Sequence, residues 1–223
     1  AEAGGAAFLL LPGQSPQPVA LRRAPVMPAD ASPLISCIMA SRGRVMPAMH
    51  AIDCFRRQTW PHCELVIATA AADDVLGAYV RSLGDSAIKL VEVSGLETPG
   101  RLRNAAIAQS RGTLVAIWDD DDLSHPDRLA MQYRAMTDAG AVGCFLARVL
   151  LWWPERRRLA ASSPRIWENT MLVRRADLSP YWEDDRRGED TAVAAALRVA
   201  HPLVLVDRPD AYCYVAHGAN LSS

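Results

Sequence analysis

The chain has 223 residues, half of them hydrophobic, with 24 basic and 25 acidic side chains and a formal net charge of −1. That balance fits a globular domain of ordinary size and excludes a surface built to coat nucleic acid, which needs a basic excess. Five scattered cysteines without a CxxC pair read as reduced thiols of a cytosolic protein, not as a disulfide framework or a zinc site.

Residues 1–33 carry six of the fifteen prolines, with much alanine and glycine. They read as a linker or extended arm at the seam to another module. Their AAFLLLP run is too short to span a bilayer and lacks the basic flank of a signal peptide, which leaves peripheral membrane attachment open. From Pro33 the texture changes. LISCIMA (34–40) has the length of a buried strand, SRGR follows as a polar turn, and residues 46–58 set Met49, Ile52 and Phe55 at helical spacing. ELVIAT (64–69) predicts a second strand, 73–84 a helix closed by Gly84, IKLVEV (88–93) a third strand, 100–110 a helix and TLVAIW (113–118) a fourth strand. Further on, the pattern predicts a helix over 125–140, a long strand over 144–153, another over 170–175 and a helix over 189–200. LVLVD (203–207) and AYCYVAH (211–217) read as a closing pair of strands. Strands apolar on both faces that alternate with helices indicate an α/β fold with a mostly parallel sheet covered by helices. Such sheets bind ligands beyond the carboxyl ends of their strands. SRGR and the stretch after TLVAIW both fall there.

That stretch is IWDDDDLSHPDR (117–128). Four adjacent carboxylates repel one another, so they either form a solvated loop capping the next helix or hold a cation. Carboxylate oxygens suit Mg²⁺ or Mn²⁺, which usually share their shell with substrate phosphates. An EF-hand loop counted from Asp119 would need Gly and Glu where Ser124 and Ala130 stand, so it fails. A phosphatase of the haloacid-dehalogenase type would need a small β-branched residue in place of Leu123 and a later lysine. The chain's one lysine, Lys89, precedes the aspartates.

Five segments in register resemble family 2 glycosyltransferases of the GT-A fold. SCIMASRGR (36–44) is similar to their opening strand and turn, and FRRQTWPHCELVIAT (55–69) to the second-strand region. Residues 100–129 resemble the run from an RN-containing helix through the D-x-D to an HP-x-RL helix. RRGEDTAVAAAL (186–197) resembles the acidic E-D motif, and YVAHGANLS (214–222) the closing HG-x-N segment. The resemblance covers about residues 33–223 and implies a nucleotide-binding half over about 34–122 and a smaller mixed acceptor half over about 123–223.

The resemblance further implies an inverting, metal-dependent transfer from a nucleotide-diphosphate sugar, a UDP-sugar first, to a glycan or lipid-linked acceptor. The setting would be surface polysaccharide or glycan assembly, in the cytoplasm or at the inner face of the membrane. On that pattern Asp119 and Asp121 form the D-x-D pair, with Asp119 and Asp120 toward the donor. Asp119, Asp121 and His217 would hold Mn²⁺ or Mg²⁺, and Asp122 could substitute within the run. Asp190 would be the general base, with Glu189 beside it orienting the acceptor and Trp167 stacking on it. Ser41, Arg42, Arg44, Arg103 and Asn104 would contact the donor, arginine's planar fork suiting phosphate or base. The chain departs from the pattern after its second strand. Family members commonly place aspartates there for the nucleobase, whereas this chain has Thr69, Ala70 and Ala71, with acids at Asp73 and Asp74. Two other readings stay open: a non-catalytic module of a larger synthase, and a nucleotidyltransferase of related fold, for which SRGR is a poor phosphate loop.

Overall fold

The computed structural model describes residues 5–21, 32–70, 74–95, 98–181 and 189–217. Three parallel strands follow the predicted pattern: β3 (Ile35–Ala40), β4 (Cys63–Ala70) and β5 (Ile88–Val93). The fourth, β6 (Leu114–Ile117), lies on the other side of β3, also parallel, so the strand order reverses at β3. Both faces of this sheet are apolar because both are covered. Helices α1 (Val45–Arg56), α2 (Asp74–Leu83) and α4 (Arg128–Ala139) bury Ile52, Phe55, Leu76 and Leu129 against Ile35, Cys37 and Met39 on one side. On the other, α3 (Pro99–Gln109) and α5 (Glu189–Ala200) bury Leu102, Ala106 and Leu197 with Ile38, Val66 and Ile117.

The sheet continues past β6 through β11 (Trp167–Arg174), antiparallel, to β8 (Gly143–Leu146) and β12 (Leu203–Asp207), and ends in β1 (Ala6–Leu10) and β2 (Gln17–Val19). A second sheet of four strands runs β10 (Arg158–Ala161), β9 (Leu150–Trp153), β13 (Tyr212–Val215), β7 (Leu123–Ser124).

Three expectations need correction. Within the segment read as a linker, residues 6–19 form a hairpin that closes the main sheet, turned by Gly13 at φ 69° and registered Ala7 to Val206 on β12. Its proline content misled because Pro18 sits on the outermost strand, where a missing N–H costs no ladder bond. The long strand over 144–153 is two strands in different sheets. The apolar run continues across the break, but Arg148 forks onto Asp207 with two bonds of 2.8 Å and pins the crossing there. For the same reason β12 and β13 do not pair with each other; each belongs to a different sheet.

Motifs in the first half act as clips. Gln58 accepts from Leu129 N and donates to the carbonyl of His125, while Thr59 bonds Pro126 and Asp127, so the end of α1 fixes the start of α4. Helix α4 therefore begins at Arg128, three residues later than its pattern predicts. No helix among the described residues is long and apolar enough to cross a membrane.

Candidate active site

The carboxyl ends of β3 and β6 stand side by side, and the loops leaving them meet. After β3, Gly43 at φ 81° turns the chain so that Arg44 faces the strand-end aspartates; a side chain at this left-handed angle would cost about 1–2 kcal/mol. From the opposite face of the sheet, α3 brings Arg103 to the same point, its start capped by Thr98 and Pro99. The first turn of α5 contributes Asp190. Strand β13 ends just before His217, which closes the ring from the second sheet.

Each aspartate has its own partners. Asp119 Oδ1 accepts from Arg103 Nη2 at 3.1 Å. Asp120 is 1% exposed and accepts from Ser41 Oγ at 2.7 Å and Arg44 Nη2 at 2.5 Å. Asp121 Oδ2 accepts from Arg44 Nη1 at 2.5 Å and lies 2.9 Å from His217 Nε2. Asp122 turns away, toward the second sheet. Its Oδ2 accepts from Tyr212 Oη at 2.6 Å and Asn169 at 3.2 Å, its Oδ1 from Val215 N at 2.8 Å. Asp122 thus fastens β13, and with it His217, to the end of β6.

Burial and neighbouring charge push Asp119, Asp120 and Asp122 upward. Burial raises Asp120 to about 6, against the pull of Arg44, with Asp121 adding to the rise. Asp119 is raised by burial, opposed by Arg103 and aided by Asp121. Asp122 lies well above the carboxylate range through burial and the charges of Asp119 and Asp121. Beneath the run lies a cation that sequence reasoning did not single out. Arg128 is fully buried, stacked between Trp118 and Tyr212 with its guanidinium carbon 5.1 and 4.9 Å from the ring centres. It donates to Gln132 Oε1, Ser124 Oγ and the carbonyl of Ile117. The HPDRL string contained it; only its fully buried setting gives it a role.

One nitrogen joins donor side to acceptor side. Arg103 Nη2 is 3.1 Å from Asp119 Oδ1 and also 3.1 Å from Asp190 Oδ2, and its guanidinium lies over the Tyr181 ring. Of the other expected residues, Arg42 is exposed and stands outside the cluster. Asn104 grips the backbone of Tyr181 from both sides at 2.8 Å, holding the chain that leads toward Asp190. Trp167 opens β11, lies under the Arg165 guanidinium at 4.0 Å and against Tyr214, and its indole Nε1 is buried with no acceptor among the described residues. The side chain of Glu189, residues 71–73 with Asp73, the side chain of Asp74, and the HG-x-N residues after His217 lie outside the described residues.

Asp121 and His217, in direct contact as a hydrogen-bonded pair, are the two side chains that could also serve a hard cation. Two ligands on adjacent corners of an octahedron with bonds of about 2.1 Å stand about 3 Å apart, and Asp121 Oδ2 and His217 Nε2 have that spacing. No group of three His, Cys, Asp or Glu among the described residues could hold an ion without help, so the rest of the shell would come from water or substrate oxygens.

The chain is similar to the succinoglycan biosynthesis protein ExoO of Rhizobium meliloti, 29% identical over 112 residues, half of this chain but 32% of that protein. Its fold matches S. aureus TarS in complex with UDP-GlcNAc at a TM-score of 0.72 and 16% identity, covering 83% of this chain and 59% of the other. It matches the mannosyltransferase PcManGT from Pyrobaculum calidifontis, in complex with GDP-Man and Mn²⁺, at 0.67 and 17% identity, covering 89% and 62%. The chain thus spans about a third to three fifths of these proteins' lengths. The sequence profile of glycosyl transferase family 2 matches residues 38–186, from β3 through the aspartates to the approach to α5, and the chain belongs to that family with a GT-A fold.

Proposed function

We propose that the chain is an inverting glycosyltransferase that moves a sugar from a nucleotide-diphosphate donor to a hydroxyl of a glycan or lipid-linked acceptor. The observation that carries this reading is the shared nitrogen of Arg103, which sets Asp190 against Asp119 across the mouth of the sheet. A transfer in one displacement needs a base on the acceptor side, opposite the leaving group. Asp190 takes the proton of the attacking hydroxyl, and Arg103 positions that carboxylate. Ser41 and Arg128 keep the aspartate run in place from the loop and from beneath. Asp121 and His217 would hold Mn²⁺ or Mg²⁺, which when bound neutralises charge on the leaving diphosphate. Trp167 offers its ring to a sugar face; Glu189 orients the same acceptor.

A UDP-sugar is the first donor to try and a GDP-sugar the second, since proteins of this fold are known with UDP-GlcNAc and with GDP-Man. The matched relative's name supports a role in polysaccharide synthesis, carried out in the cytoplasm or at the inner face of the membrane. The test is turnover of UDP- and GDP-sugars, read as release of nucleoside diphosphate with Mn²⁺ present. Asp190→Asn is expected to lose at least 10³-fold in turnover while keeping donor affinity within about threefold. Wild-type turnover in that variant would remove Asp190 from its role.

A further inference from the structure

The four aspartates raise a question of charge: what neutralises them before any substrate arrives? Arg103 serves Asp119, and Asp122 is met by three neutral donors. Asp120 and Asp121 share Arg44. Its two terminal nitrogens reach Asp120 Oδ1 and Asp121 Oδ2 at 2.5 Å each, and Nη1 is also 3.5 Å from His217 Nε2. Arg44 therefore holds the same carboxylate oxygen, and borders the same imidazole nitrogen, that fit a hard cation.

We propose that Arg44 is the resident counter-ion of the cation site, occupying the Asp121–His217 corner until a divalent cation and a diphosphate together displace it. This inference rests on the reading of Asp121 and His217 as cation ligands. Three observations support an exchange. First, Asp120 is buried and the Asp121 side chain beside it is only 10% exposed, so the two carboxylates favour a positive partner, because an uncompensated buried charge is costly. Second, a divalent ion at Asp121 Oδ2 would bring its charge close to the guanidinium that now holds the same oxygen, and the two repel. Third, Arg44 is free to leave: it sits on a loop directly after Gly43, and a third of its side chain is exposed. Its destination is chemical. A guanidinium fork pairs bidentately with phosphate oxygens as well as with carboxylates, so a donor diphosphate gives Arg44 a new partner as the old one is taken.

The consequence is coupling. Without diphosphate, the cation must expel Arg44 into water and binds weakly; with diphosphate, Arg44 is re-paired and the cation binds tightly. The same factor must then appear in diphosphate affinity with and without cation. The chain's own arginine would make donor and metal enter together.

Free Mn²⁺ measured by electron paramagnetic resonance tests this directly, in titrations of wild type, Arg44→Gln and Asp121→Asn, each with and without UDP or GDP. Arg44→Gln is expected to bind Mn²⁺ at least tenfold more tightly than wild type when no nucleotide is present, and to show a smaller gain on adding the diphosphate. Arg44→Lys, which keeps the charge and loses the fork, should fall between the two and serves if the glutamine variant does not fold. Asp121→Asn should lose the Mn²⁺ site in every condition. If Asp121→Asn fails to bind Mn²⁺ while Arg44→Gln and Arg44→Lys match wild type or bind more weakly, the exchange is wrong and the cation site stands. If Asp121→Asn binds Mn²⁺ as wild type does, the cation site itself is wrong.

Discussion

Arg128→Met removes the buried cation beneath the aspartates while keeping most of its volume. Replacing a buried ion by an apolar side chain is often harmless when its partner is replaced too. Here the partners stay. Asp122 stays buried and Asp119 half-buried, and both lose a positive neighbour that counters their desolvation. Gln132 Oε1 and Ser124 Oγ lose the donor they now receive at 3.1 and 3.0 Å, and Trp118 and Tyr212 lose the cation between their rings. Leaving buried acceptors without their charged donor costs about 1–3 kcal/mol for each group, so about 3–5 kcal/mol for this set. For a domain of this size that lowers the melting temperature by about 6–20 °C. Differential scanning calorimetry of the two proteins at pH 7 measures it. A shift within 2 °C would show that Arg128 contributes no net stabilisation and that the acids do not need it.

Arg103→Lys keeps the charge near Asp119 but loses the planar group that also lies over Tyr181. Turnover should fall by about 10²-fold through misplacement of Asp190, with a donor dissociation constant changed far less; equal losses in both would assign Arg103 to donor binding alone. Stability should also depend on pH in a defined way. Asp120 titrates at about 6 in the fold against an ordinary 3.8, so the folded state binds more protons between those values and loses stability as pH rises through them. Going from pH 7 to 5 should add about 1 kcal/mol from this group, and Asp119 and Asp122 act in the same direction. Burial pushes Glu64 up, but bonds from Ser36 and Arg111 outweigh it and hold it below its ordinary 4.5. Its contribution is present above 4.5 and lost as pH falls through its lowered value. Denaturant titrations across pH 3–8 should therefore show stability rising as pH falls from 8 to about 4 and falling only below that; a monotonic rise to pH 8 would contradict the raised aspartates.

The first half of the fold was legible because periodicity and burial agree there. Each residue of β3 faces a covered side, so LISCIMA reads as one apolar run, and Gly84 ends α2 at φ 58° as its type predicts. The second half misled where two sheets share the chain. A string across 144–153 that is apolar but for Arg148 hides a change of sheet that the Arg148–Asp207 fork marks, and that pair is 59 residues apart. The aspartate run was conspicuous, but four identical letters carry no register. Only tertiary contacts separate Asp122, fastened to Tyr212 and Val215, from Asp121, which faces Arg44 and His217. Asn104 follows Arg103 in the LRN string that the resemblance assigns to the donor. One residue on along a helix points about 100° away, and there it meets the backbone of Tyr181.

The central claim is that the strand-end aspartates hold a nucleotide diphosphate through a cation. Calorimetric titration with UDP, GDP and CDP in turn, each with and without Mn²⁺, tests it most directly. One diphosphate is expected to bind, with binding at least about tenfold weaker without Mn²⁺ and its metal-dependent part abolished by Asp121→Ala. Binding that ignores both Mn²⁺ and Asp121, or no binding of any diphosphate, would contradict it.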